Sequence, residues 1–470
     1  MRIRNSVKKL PFPIKQGIKY VYGIIPPAIR HGKVFRDTYA FLQESQWWSR
    51  EKLEEYQMQQ LTKLLTHSYE NVPYYRNIFD ERGLKPTDIQ DFDDLKKLPY
   101  LTKEIIRERL PDLIAQNYPQ SKLHYTTTGG TTAAPMGMYW EAGFTNPKEW
   151  AFVWRQWNWA GLSVGDKRVV LRGDVIKRFK NNKRRLWEYD PVDNALVLSP
   201  YDMTEENLHI YGEKINEFGA LAIQAYPSNL HILVHFLKSN NLKIENIKCF
   251  LTSSEVLYAH QRKFIEEYLG IKIFDHYGNT ERSVLIMQCE KGSYHVIPEY
   301  GIVELIGQDG RSVSKEGRIG TIISTGFNNY AMPLLRYKTE DLGVYSEDGC
   351  PCGRNYPSLK RIEGRLQEFI VTKQGDLISS TCAETAIHDA DWKKISQLQF
   401  VQEQKGKLLI KVVKNGIYPD NETADYVLGL FKTRFSGIFD LSVKIVDHIP
   451  RTVRGKHKFL IQRLPIEFAS

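Results

Sequence analysis

Thr126-Thr-Thr-Gly-Gly-Thr-Thr-Ala-Ala-Pro135 is the stretch on which the reading of this 470-residue chain turns. Five threonines and two glycines in seven residues suit neither a helix interior nor an ordinary strand. Glycines let the backbone take positive φ and approach a ligand closely. Successive N–H groups in such a turn form an anion-binding concavity, and the threonine hydroxyls add donors there. A polyphosphate fits that chemistry. The pattern G-x-x-x-x-G-K-[ST] is absent, so this is not a P-loop, and taken alone the stretch also fits a Thr/Gly surface turn.

Four further stretches lie downstream. Tyr277-Gly-Asn-Thr-Glu281 follows a strand pattern, and its hydroxyl and carboxylate on a Gly turn suit a phosphate and its Mg²⁺ together. Arg336-Tyr-Lys-Thr-Glu-Asp341 puts a carboxylate after an aromatic strand, where it can accept from ribose hydroxyls. Arg361-Ile-Glu-Gly-Arg365 follows, and Pro450-Arg-Thr-Val-Arg-Gly-Lys456 ends with a mobile cation on a Gly-containing loop.

In this order, from 126 to 456, the five stretches resemble the adenylate-forming superfamily of acyl-CoA synthetases, peptide-synthetase adenylation domains and luciferases. More narrowly the chain resembles the phenylacetate–CoA ligase branch and its capsule-biosynthesis, CapK-like subgroup. Thr-Gly-Gly-Thr-Thr, Asn71-Val-Pro-Tyr-Tyr-Arg76, Tyr226-Pro-Ser-Asn229, Cys350-Pro-Cys-Gly-Arg354 and Arg451-Thr-x-x-Gly-Lys456 carry that narrower likeness.

The resemblance implies two half-reactions. A carboxylate attacks the α-phosphate of ATP to give acyl-AMP and pyrophosphate, and the thiol of coenzyme A then takes the acyl group. It implies that Thr128, Gly129, Gly130, Thr131 and Thr132 hold the β- and γ-phosphates. Ser254 and Glu255 match the adenine-side segment. Tyr277 and Gly278 lie by adenine, Thr280 touches the α-phosphate and Glu281 holds Mg²⁺. Asp341 binds the ribose, Arg365 lies near the ribose and the linker, and Lys456 bridges the attacking carboxylate and the α-phosphate. It further implies a domain rotation about a hinge after Arg365. Two departures stand out. The loop's expected Gly-Lys-Pro ending reads Ala133-Ala134-Pro135, and Gln367 occupies the hinge position. Arg168, Arg172 or Lys177 are nearby basic residues that could supply the missing charge.

The rest of the chain has an α/β pattern. Residues 38–70 have helical periodicity. Strands at Val169–Leu171, Leu221–Ala225, Cys249–Thr252 and Lys272–Phe274, with a helix at His260–Tyr268, predict a parallel sheet. Between 301 and 346 closer strands predict a smaller antiparallel or barrel-like piece. The expected fold is a large α/β N-terminal domain of several subdomains with that strand-rich piece, plus a small mobile α+β C-terminal domain. The divisions are a basic arm over 1–36, an AMP-binding domain over 37–365 and a lid over 366–470.

Five cysteines are not a disulfide scaffold and fit a cytoplasmic protein. Cys289, His295, Cys350 and Cys352 supply a Cys₃His set, which suits structural zinc if 289 and 350 meet across the strand-rich piece. Otherwise they are small buried hydrophobes, as Cys249 and Cys382 are read to be. Net charge is +10, yet residues 1–36 hold nine Lys and Arg and no acid. The excess is therefore local, which argues against a nucleic-acid-binding protein. Lys177–Arg185 reads as a solvated basic face without stacking aromatics. The arm suits an anionic membrane or a polysaccharide-assembly partner, or else packs on its own domain. No run of 18 apolar residues predicts a membrane span.

Trp150, Trp154, Trp157 and Trp159 have helix-core spacing, though they could wall a substrate pocket. His276 either lines the acyl pocket or partners Asp275. The altered loop and Gln367 leave a non-catalytic nucleotide-binding scaffold as the competing class. The sequence names neither the acid nor the oligomeric state.

Overall fold

The computed structural model describes residues 12–128, 136–172, 185–200, 202–347, 349–365, 369–375, 377–379, 394–414, 418–435, 437–451 and 457–464. The strands are β1 (Leu123–Thr127), β2 (Gly137–Glu141), β3 (Arg168–Leu171), β4 (Trp187–Asp190), β5 (Ala195–Leu198), β6 (Ala222–Ala225), β7 (Cys249–Ser253) and β8 (Ile273–Gly278). They continue as β9 (Leu285–Gln288), β10 (Tyr294–Val296), β11 (Gly301–Ile306), β12 (Ile319–Gly326), β13 (Tyr337–Tyr345) and β14 (Ser358–Arg365). The last are β15 (Phe369–Val371), β16 (Leu377–Ser379), β17 (Ile395–Gln404), β18 (Lys407–Lys414), β19 (Asp440–Ile445) and β20 (Leu460–Gln462).

One 12-stranded sheet runs β11-β12-β13-β14-β10-β9-β8-β7-β6-β3-β5-β4. Its β3, β5, β6, β7 and β8 are parallel neighbours. β3, β6 and β7 are buried along their whole length, which is why they read as mostly apolar runs rather than alternating ones. The helices between them start and stop on local signals. Thr204 caps Glu205–Phe218 by accepting from Asn207 N, and Gly219 ends it at φ 65°. Pro227 opens Pro227–Ser239, where its missing N–H is harmless. Leu208, Tyr211, Leu233 and Leu237 pack from these helices onto one face of the sheet. Helices Gly32–Ser45 and Thr145–Trp159 pack on the other, with Phe35, Leu42, Phe152 and Trp157.

The helical region at 38–70 is broken once. Ser49 accepts from Lys52 N and starts a new helix, Arg50–Asn71. The strand-rich piece at 301–346 is antiparallel and is continuous with the main sheet rather than a closed barrel. β8 turns into β9 antiparallel, His276 opposite Met287, and the antiparallel half follows without a break. Beyond β14 lie a two-stranded sheet, β15-β16, and a four-stranded sheet, β19-β18-β17-β20. The latter covers helix Asp420–Phe435 through Val427 and Phe431, and forms its own core.

Candidate active site

The parallel strands β3, β6, β7 and β8 end side by side. The residues that leave them are Arg172, Tyr226, Ser254 and Asn279, so the predicted site residues at 254–255 and 277–281 gather at the carboxyl edge of the sheet. That edge is where ligands of open α/β sheets bind.

Tyr277, on β8, donates its hydroxyl to Asp341 Oδ2 at 2.7 Å. Burial and the Asp341 carboxylate raise the phenol's pKa well above the ordinary value, so the hydroxyl stays a donor. Tyr337, on β13, donates to Glu281 Oε1 at 2.6 Å, and burial followed by Glu281 raises its pKa likewise. Two carboxylates, from a β8 turn and from β13, are thus each aimed by a tyrosine. Asp341 N also donates to Thr339 Oγ1, and Asp341 lies opposite Arg365 in the β13–β14 register. Tyr337 lies inside the Arg336–Asp341 stretch, but the sequence assigns it no role. Only its place four residues before Asp341 on one strand could have suggested it.

The β1–β2 hairpin, which carries the Thr126–Pro135 stretch, is anchored where its strands meet. Thr128 N donates to Met136 O at 2.9 Å, and Met136 N donates to Thr128 Oγ1 at 3.0 Å. Trp140, on β2, donates to Thr280 O at 3.2 Å and ties the hairpin to the β8 turn. Gly129, Gly130, Thr131, Thr132, Ala133 and Ala134 lie outside the described residues, as do Gln367, Lys456, Lys177 and Cys382. Of the basic residues proposed to supply charge, Arg168 lies at the amino end of β3. It is buried against Trp157 and donates to Asp193 O, so it does not reach the site. Arg172, at the other end, donates to Ser253 Oγ at 2.6 Å and Ser254 Oγ at 3.1 Å. Ser254 has φ 70°, a left-handed conformation rare in a residue bearing a Cβ.

Glu255 joins the two parts of the chain. Its Oε2 accepts from Ser228 N at 3.1 Å and its Oε1 from His457 N at 3.0 Å, next in sequence to Lys456. Nearby, Arg451 donates to Asn229 Oδ1, whose amide donates to Leu171 O at 3.0 Å. Phe459 packs on Tyr258 with centroids 4.6 Å apart. His457 is buried here, and burial, then Arg451, lower its pKa to about 4. His231 is held neutral by burial and by His260, His235 and His457.

The His276 ring does not bond the Asp275 carboxylate, which His276 meets only through its backbone N–H. The side-chain donors to Asp275 are Thr252 Oγ1, on the neighbouring strand β7, and Tyr294 OH, which reaches across from β10. The His276 ring is buried with Nδ1 unpaired, and its pKa is lowered to about 3 by burial and then Arg172. Trp154 and Trp157 are core residues. Arg336, from the ribose-side motif, is structural: it pairs with Glu304 through two bonds of 2.8 and 3.0 Å and donates to Leu98 O. Cys249 is core, with its thiol pushed up to about 12 by burial.

A second constellation lies off this site. β10 pairs with β14, His295 opposite Ser358, which brings the turn after β9 beside 350–352. Cys289 Sγ lies 3.5 Å from Cys350 Sγ, and Cys352 Sγ lies 3.3 Å from His295 Nε2. All four donor atoms fall within 4.8 Å of one another. Tetrahedral zinc with Zn–S of about 2.3 Å needs donors roughly 3.5–3.8 Å apart. Lys291 N donates to Cys289 Sγ at 3.4 Å, and burial, then Arg354, hold His295 neutral.

Residues 370–463 match the family described as the CapK C-terminal domain. Protein CapK of Staphylococcus aureus is 26% identical over 415 residues, covering 87% of this chain and 89% of its own. A phenylacetate–coenzyme A ligase of Thermus thermophilus is 25% identical over 333 residues, 69% of this chain and 73% of its own. Among solved structures, 2-hydroxyisobutyryl-CoA ligase in the postadenylation state superposes with a TM-score of 0.69 at 18% identity, over 89% of this chain and 93% of that one. Along most of its length the chain is thus similar to CapK and to phenylacetate–CoA ligases, its residues 370–463 match the CapK C-terminal domain, and its fold is that of 2-hydroxyisobutyryl-CoA ligase.

Proposed function

We propose that this protein uses ATP to activate a small carboxylic acid as acyl-AMP and then passes the acyl group to coenzyme A. The observation that carries this is the pair of tyrosine-aimed carboxylates, Asp341 and Glu281, at the carboxyl edge of the parallel strands, with Glu255 at the same edge accepting from His457 N. In the first step a carboxylate oxygen bonds to the α-phosphorus and pyrophosphate leaves. In the second the coenzyme A sulfur bonds to the acyl carbon and AMP leaves, the thiol proton going to solvent.

Residues 37–365 would bind nucleotide and acid, and 366–470 would form the lid. Asp341 would take the ribose, with Tyr277 and Gly278 beside the base and Thr128–Thr132 on the outer phosphates. Glu281 has one oxygen committed to Tyr337 and no bond at Oε2 among the described residues, a fit to a Mg²⁺ that is otherwise held by phosphates and water. That ion would offset phosphate charge. Lys456 would sit between the two anions that must meet, where a cation lowers the barrier most. The Cys₃His quartet would hold one structural zinc, pinning β9 and β10 to the segment before β14. Metal analysis of protein purified without chelator should find about one zinc per chain, lost in Cys352→Ser; metal-free wild-type protein of unchanged stability refutes this. The compartment would be cytoplasmic, where the thiols stay reduced.

The test is ATP-dependent pyrophosphate release with hydroxylamine trapping across carboxylic acids, with and without coenzyme A. Release with one acid class and thioester formation with coenzyme A support the proposal. A second reading, in which the acyl acceptor is a sugar or carrier in surface-polysaccharide assembly, draws on the CapK likeness over 87% of the chain. It predicts release and trapping without thioester. Nucleotide binding with no release for any acid favours the scaffold.

A further inference from the structure

The amino-terminal helix Phe12–Ile24 is amphipathic the wrong way round for a helix packed on its own protein. One side docks on the edge of the sheet. Lys19 Nζ pairs with Asp190 at 2.9 Å, and Tyr20 lies against Tyr189 with ring centroids 5.9 Å apart. Gly23 meets Pro191 so closely that a Cβ would stand 2.6 Å from its carbonyl oxygen. At about 100° per residue, Gly23 lies roughly opposite Ile14, Ile18 and Val21, which share a sector of about 60°. Those three face solvent, with 53, 40 and 69% of their surface exposed. Ile24, at 81%, and Tyr22, at 44%, flank the same sector. Elsewhere among the described residues, large exposed apolar side chains are scattered singly, as on any soluble surface.

We infer that this face is a membrane-contact surface, and that its occupant is an anionic lipid bilayer. The charge of the arm selects that partner. Residues 1–36 hold nine Lys and Arg and no acid, while the remaining 434 residues are nearly balanced. Arg2, Arg4, Lys8, Lys9 and Lys15 precede or enter the apolar sector in sequence. An aliphatic face framed by bases lies in the headgroup boundary of an anionic leaflet. Thirteen residues cannot cross a bilayer, which needs about 20, and no helix of the described residues is long and apolar enough to do so. The helix therefore lies in the plane of the surface. Gly23 on Pro191 and the bonds from Arg30 to Gly23 O and Ile25 O fix it to the body, so the enzyme is held at the bilayer in one orientation.

The experiment is flotation of the full chain with vesicles of phosphatidylcholine alone, or mixed in roughly equal parts with phosphatidylglycerol, at low and high salt. Binding to the mixed vesicles that weakens with salt is expected. Val21→Asp should lower it at least about tenfold, and Lys15→Gln by less, with adenylation in solution unchanged in both. No binding, or equal binding by Val21→Asp, overturns the inference. Self-association in solution that Val21→Asp abolishes, without vesicle binding, also overturns it and assigns the face to a second copy.

Discussion

The body and the carboxy-terminal part of this chain are built on opposite terms. In the body, each candidate carboxylate is already aimed: Asp341 by Tyr277 and Glu281 by Tyr337, all within one continuous sheet. The carboxy-terminal part has its own core around Phe400 and Phe431. Among the described residues it meets the body where His457 N donates to Glu255, Arg451 donates to Asn229, and Phe459 packs on Tyr258. We propose that the body holds the reactants and that the carboxy-terminal part, tied to it by polar bonds such as these, moves between the two steps. That division suits two reactions sharing one site, since a few hinge residues suffice for such a motion.

The comparison breaks most sharply at Arg336. It is buried and bonded twice to Glu304, whose side chain is only 13% exposed, so Arg336→Met strands a largely buried carboxylate at a cost of about 3 kcal/mol. Denaturant unfolding should show that loss in the body; a change below about 1 kcal/mol would mean that the body is not preorganised as described. Lys456→Ala should slow pyrophosphate release by about 10²–10³-fold, at little cost to thioester formation from pre-made acyl-AMP. Equal loss of both steps would remove the assigned role. Glu255→Gln weakens the tie to His457 N without touching the body's core. A hydrogen bond to a charged group is worth about 1.5–3 kcal/mol, so adenylation should fall roughly tenfold or more while unfolding of the body is little changed.

The smallest effect is that of pH. His457 is held neutral at the junction, with its pKa lowered from 6.5 to about 4 by burial and then Arg451. Released into water it would regain its ordinary value, so the open form binds the proton more tightly. The closed form's advantage is complete above pH 6.5 and is lost as pH falls toward 4. At one unit below 6.5 this one group costs about tenfold in closure. The adenylation rate should fall with acid more steeply in wild type than in His457→Asn, whereas the acid unfolding of the body should be alike in both.

Much of this was legible because backbone geometry restricts residue choice. The Thr126–Pro135 turn, Tyr277–Glu281 and the Gly364-Arg365 strand end announce themselves by residue type. The Cys₃His quartet was legible in its donors, and the β10–β14 register brings the four side chains together. What stayed hidden are long-range partners. Tyr337 reads as any strand aromatic until the sheet brings it to Glu281, 56 residues away in sequence. Arg168 and Arg172 look alike in sequence, yet four residues of strand put them at opposite ends of β3. The arm's outward apolar face was hidden too, because a helix pattern gives the stripe and not the direction in which it points.

The docking of Phe12–Ile24 has one more consequence. β4 is the outermost strand of the 12-stranded sheet, and Lys19, Tyr20 and Gly23 sit along its end, from Tyr189 to Pro191. A bare edge strand is a template for pairing with other chains. Trimming the basic, greasy arm to make a better-behaved protein would therefore do the reverse: it would uncover the Tyr189–Pro191 end of β4 and invite sheet-to-sheet aggregation.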